Sequence, residues 1–79
     1  MITINYMNDG IKFKLNDTTS YKLEGEIWTI GEYYSNNCDV IHVVFRGEKE
    51  AKELCGGHIY ETMSGACYAI MNYYEQEVF

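Results

Sequence analysis

Apolar and polar residues alternate at the start of the chain. Ile2, Ile4 and Tyr6 share one side of an extended segment, as do Ile11, Phe13 and Leu15. Asp9-Gly10 between them supplies the positive-φ residues of a two-residue turn. The predicted hairpin sets Tyr6 opposite Phe13 and Ile4 opposite Leu15, with Lys12 and Lys14 on the wetter face. Asn16 to Ser20 is read as a polar connection, because these residues hydrogen-bond their own backbone. Alternation resumes at Tyr21 and Leu23 and changes phase at Gly25. A glycine at a phase break predicts a bulge or sharp bend in one long strand, and Gly31 is a candidate second one. Tyr33-Tyr34 end that strand, and Ser35-Asn36-Asn37 turn the chain.

Val40 to Phe45 is apolar on both parities, the pattern of a central strand covered on both faces, with His42 its polar member. Glu48 to Cys55 is rich in helix formers and is stopped by Gly56-Gly57, predicting a short surface helix. His58-Ile59-Tyr60 is a brief strand or an extended lead into the final element. There Thr62 or Ser64 is the candidate N-cap. Met63, Ala66, Cys67, Ile70 and Tyr74 then fall on one face of a helical wheel, against Glu61, Tyr68, Asn72 and Glu75 on the other. Reading Ala66 to Tyr74 as a strand is the weaker alternative. The fold expected is α+β: one domain over 1–79, with a small antiparallel sheet of about four strands. These are the N-terminal hairpin, a long bent strand and a central strand, packed by a short helix and a C-terminal amphipathic helix.

Composition narrows the function. Seventy-nine residues make a small core, so a disulfide, a metal or an oligomer interface is a common supplement. A net charge of −6, with no Lys or Arg after Lys52, disfavours nucleic acid and anionic membranes as direct partners and favours a basic protein surface. Duplex DNA carries roughly 18 charges over ~30 Å of axis. Six excess carboxylates spread over a domain fall short of that, so any mimicry is local. The start, Met1-Ile2-Thr3-Ile4-Asn5, lacks the basic and apolar regions of a signal peptide, and no apolar run approaches membrane-spanning length. A cytoplasmic protein with reduced thiols is expected.

Candidate chemistry is sparse. Cys38-x3-His42 and Cys55-x2-His58, with Cys67 following, have zinc-like spacing. However, Cys38 and His42 on one strand would stand about 13 Å apart. A zinc-stabilised module using Cys38, His42, Cys55 and His58 therefore stays an alternative, with no metal or cofactor in the main reading. Cys67 falls on the inner helix face, where a thiol is inert, and no third group orients Cys55 and His58. Glu24 and Glu26 on one strand face read as solvated charge. No enzyme is expected.

The tyrosines remain. Trp28, Tyr6, Tyr21 and Tyr74 read as core or core-edge residues. Tyr33, Tyr34, Tyr60, Tyr68 and Tyr73 are too many to bury together, and exposed Tyr is enriched at interfaces. In size, acidity, Tyr and Asn content and lack of enzyme motifs, the chain is similar to phage- or mobile-element-encoded inhibitors of host defence such as anti-CRISPR proteins. That similarity lies in general character and assigns no residues. The function expected is a binding protein that occludes a basic, nucleic-acid-handling surface of a larger protein. Its candidate surface is Glu61, Tyr68, Asn72 and Glu75, with Tyr73 and Glu77 at the margin. The alternative is a homodimeric structural or regulatory subunit whose tyrosines bury one another.

Overall fold

The computed structural model describes residues 2–77, without the side chains of Gln76 and Glu77. Among the described residues, strands β1 (Asn5–Asn8), β2 (Ile11–Leu23), β3 (Glu26–Ser35), β4 (Val40–Arg46), β5 (Lys49–Glu50) and β6 (Ile59–Tyr60) precede a single helix, α1 (Met63–Glu77). The sheet is antiparallel in the order β1-β2-β3-β4-β5, and β6 pairs with β4 beside β5. The α+β class and the N-terminal hairpin match the sequence expectation. Tyr6 pairs with Phe13, and Asp9 and Gly10 take φ of 52° and 74°.

Two expectations about the strands change. The polar stretch Asn16–Ser20 does not leave the sheet, because β2 runs through it and pairs with β3 along its length. The irregularity sits at Asn16, where the register shifts between Leu15 and Asp17. One extra residue there bends the strand and swaps its faces. The β-branched Thr18 and Thr19 then suit the ladder. Gly25 is no bend within a strand. Glu24 and Gly25, at φ 52° and 79°, form a second two-residue turn that sets Leu23 opposite Glu26. The expected long strand is therefore two antiparallel strands.

The predicted helix over Glu48–Cys55 is also absent. Lys49 and Glu50 pair with Arg46 and Phe45, and Ala51 N–H donates to the Val44 carbonyl at 2.9 Å. Ala51 and Leu54 are buried under α1. So short a helix is marginal on its own. Placing two apolar side chains in the core and satisfying the edge of β4 is the better solution.

Strand β4 is covered on both faces, as its sequence requires. Val44 joins Trp28, Ile30, Ala51, Leu54, Ala66 and Ile70 under α1. Ile41, Val43 and Phe45 face the other way, onto Tyr6, Phe13 and Tyr33. The sheet curls far enough that Tyr6 on β1 reaches Glu50 and His58, on the far side of β4. Gly31 lies inside this curl. A Cβ there would stand 2.7 Å from Tyr33 Cε1 and 3.2 Å from Leu15. Its role is close packing and not a second bulge.

A candidate interaction surface on the C-terminal helix

Thr62 caps α1 by accepting Gly65 N–H at 3.0 Å. The helix then buries the face its periodicity predicts. Ala66 and Ile70 are fully inside, with Met63, Cys67 and Tyr74 packed beside them. Tyr68 and Glu75 project outward, and Tyr68 keeps 71% of its surface exposed. Asn72 is half-buried. With Tyr68 it lines a hollow of ≈ 190 Å³ shared with Cys55, Gly56, Tyr60, Gly65, Ala69 and Tyr73. Glu61 is exposed in the turn before the helix, next to its N-terminus. Glu77 closes the helix, and its side chain lies outside those described.

The helix is charged against its own dipole. It has no acidic residue in its first turn and no basic residue in its last, while Glu75 and Glu77 stand at the carbonyl end. Each such carboxylate costs roughly 0.3–1 kcal/mol when exposed. Glu75 places negative charge at that end of the exposed face.

Tyr73 is placed differently from Tyr68. It faces Arg46, the last residue of β4. The Arg46 guanidinium forks onto Glu26 at 2.8 and 2.6 Å, reaches Glu53 at 3.0 Å and donates to Tyr73 Oη at 2.8 Å. It also lies over the rings of Trp28 and Tyr73, 5.1 and 5.0 Å from their centroids. Trp28 Nε1–H donates to Tyr74 Oη at 2.7 Å, and Tyr74 donates onward to Leu23 O and Glu26. The Arg46 fork holds the Glu26 carboxyl below its ordinary range, and burial pushes the Tyr74 hydroxyl up. This cluster fastens the end of α1 to the β2–β3 turn and engages the Arg46 charge with Glu26 and Glu53. The signal in the sequence was an arginine at the end of a doubly apolar strand, cross-strand from a tryptophan.

A second cluster was equally illegible. Glu50 stands 2.7 Å from His58 Nε2, and Tyr6 Oη lies 2.9 Å from the same nitrogen and 3.2 Å from Glu50. Burial first, and then the Glu50 charge, pushes the Tyr6 hydroxyl up to about 12. Such a hydroxyl is poorly suited to proton transfer at neutral pH. The cluster's clear work is to tie the two sides of the curl together.

The zinc-like set is not assembled. His58 is on the Tyr6 side of the sheet, whereas His42 is buried on the opposite face, 3.5 Å from Glu32. Cys38 and Cys55 are exposed in separate turns. Among the described residues no group of three or more His, Cys, Asp or Glu side chains is placed to share an ion. Nor, among them, is any helix long and apolar enough to cross a membrane. Glu24 is exposed in the turn, as expected of solvated charge, whereas Glu26 is bound by Arg46. No family model, curated protein or solved structure matches this chain, so function rests on the geometry.

Proposed function

We propose that this chain is a cytosolic binding protein that uses the outward face of α1 to occlude a basic, nucleic-acid-handling surface of a larger protein, in the manner of a small anti-defence inhibitor. The observation that carries the reading is Tyr68. A large aromatic left 71% exposed at mid-helix, beside a hollow, has the form of an interface anchor. Around it stand Glu61, Asn72 and Glu75, with Glu77 next along the helix, and no cation follows Lys52 in the chain. Arg46 is already spent on Glu26 and Glu53. Among the described residues neither Glu61 nor Glu75 forms an ion pair, and a basic partner supplies one. Tyr68 offers its ring to an arginine, and the hollow accepts a side chain next to it. Tyr73 sits behind this surface and shapes the hollow while remaining bonded to Arg46.

The test is affinity capture from the source cell's lysate, with wild type beside a Tyr68→Ala/Glu75→Lys double variant. Both positions are exposed, so the variant is expected to keep the wild-type circular dichroism and thermal midpoint. The wild type should retain a partner whose association slows as salt is added, and the variant should lose it at least tenfold. Equal retention by the folded variant would remove α1 as the working surface.

A further inference from the structure

The bulge at Asn16 has a topological consequence. β1 pairs only with Ile11–Lys14 of β2, with one further bond from Leu15 N–H to the Ile4 carbonyl. Beyond it, Asp17–Leu23 has β3 on one side and, among the described residues, no strand on the other. Natural sheets blunt their edges by shortness, charge or cover. β1, at four residues, and β5 and β6, at two each, are short. The open part of β2 is seven residues long, carries Thr-Thr-Ser-Tyr at its centre and is exposed over most of its length.

The direction of its free groups follows from the turns. The two-residue turn at Glu24-Gly25 makes Leu23 and Glu26 the hydrogen-bonded pair beside it. Alternation then gives Leu23, Tyr21, Thr19 and Asp17 to β3, and points the backbone of Lys22, Ser20 and Thr18 outward. The Thr18 amide is held by the Asp17 carboxylate at 2.8 Å. Ser20 and Lys22 have no such cover from Asp17. On the helix side of this edge lies an apolar groove of ≈ 380 Å³, lined by Tyr21, Leu23, Cys67, Ile70 and Met71. It exists because α1 packs mainly over β3, β4 and β6 and reaches β2 only near its end, at Leu23 and through Tyr21 Oη, 3.6 Å from Cys67 Sγ. Met71 keeps 62% of its surface exposed and Tyr21 38%.

We propose that a second copy of this chain occupies this edge, pairing its own β2 antiparallel to the first. Charge selects the occupant. Asp17–Leu23 holds one carboxylate and one ammonium, so it is locally neutral on a chain of net charge −6. It attracts a basic partner no more than an acidic one, and two copies meeting there bring neutral segments together. Symmetry agrees. A two-fold axis normal to the sheet runs the two edges antiparallel and keeps each face on its own side. Outward-facing residues then pair with one another, and using the whole segment sets Ser20 against Ser20 of the second copy. The two apolar grooves come side by side on one face, so Tyr21 and Met71 of both copies cover each other. Both α1 helices lie on that same face, which gives a bivalent form of the surface proposed above. The pairing stands without that surface reading.

The test is light scattering and sedimentation of the full chain in reductant, so that exposed Cys38 and Cys55 cannot crosslink. The wild type is expected at twice its 9.2 kDa chain mass. Ser20→Pro removes one outward N–H and leaves the β3 ladder alone, as proline on an edge allows. It should run at the single-chain mass with unchanged Trp28 fluorescence. Met71→Glu, on an exposed position, should raise the dimer dissociation constant at least tenfold. A wild type that stays monomeric at millimolar concentration overturns the proposal. So does a dimer that persists in both folded variants, or one that disappears on adding reductant.

Discussion

Arg46→Ala tests how α1 is held on its sheet. The guanidinium lies over two rings, Trp28 and Tyr73, each contact worth about 0.5–1 kcal/mol at a partly exposed site. Its methylene stem packs with 29% of the side chain accessible, adding about 1 kcal/mol. The ion pairs to Glu26 and Glu53 are water-accessible and add a smaller, salt-screened part, because freed carboxylates rehydrate. The loss expected is about 3 kcal/mol. Domains of this size hold roughly 4–12 kcal/mol in all, at about 0.05–0.15 per residue. The midpoint should therefore fall by roughly 12–24 °C, at about 4–8 °C per kcal/mol. Trp28 is the chain's single tryptophan and sits in the cluster, so urea melts followed by its fluorescence read the effect directly. Arg46→Lys keeps the charge but loses the fork and the stacked plane, and should fall between. An Arg46→Ala midpoint within about 0.5 kcal/mol of wild type, the range of ordinary surface substitutions, would refute the reasoning.

Two further outcomes follow from the packing and the ionisable groups. Gly31→Ala should destabilise by about 1–3 kcal/mol despite the usual gain from replacing a strand glycine. The new methyl meets Tyr33, whose hydroxyl is pinned to the Thr3 carbonyl at 2.6 Å, so neutral or improved stability in a urea melt would contradict this. The hydroxyls of Tyr6, Tyr33, Tyr60 and Tyr74 are all raised, with burial the first cause. Between about 10 and the raised folded values the unfolded chain holds fewer protons, so stability falls as pH rises through that window and is unaffected by these groups below it. Absorbance at 295 nm should show tyrosines ionising together with loss of structure. Smooth titration of a folded protein to pH 12 would count against the burial.

Much of the fold was written in local pattern. Asp9-Gly10, the doubly apolar Val40–Phe45 and the Met63-Ala66-Ile70 stripe each specify an element without help from distant residues. The errors fall where distant residues decide. Asn16–Ser20 has turn composition, but Thr29–Glu32 of β3 lie alongside to pair with it. The phase break at Gly25 was correctly located, yet a phase change alone does not separate a bulge from a two-residue turn. Glu48–Cys55 has helix propensity, and the open edge of β4 outweighs it. For the surface, the wheel placed Tyr68 and Glu75 outside and Cys67 inside, as the structure has them. It gave no hint that Tyr73 would turn back to Arg46, since that bond joins residues 27 apart in the chain. Nor could the open edge of β2 be seen without knowing where β1 stops pairing.

The central claim, that the outward face of α1 is the working surface, is most directly tested by amide NMR of the labelled chain titrated with the captured partner. Resonances of Glu61, Tyr68, Asn72 and Glu75 should shift or broaden, while those of β1 and the β2–β3 ladder stay in place. Perturbation confined to the curl around Tyr6, Glu50 and His58, with α1 unmoved, would contradict it.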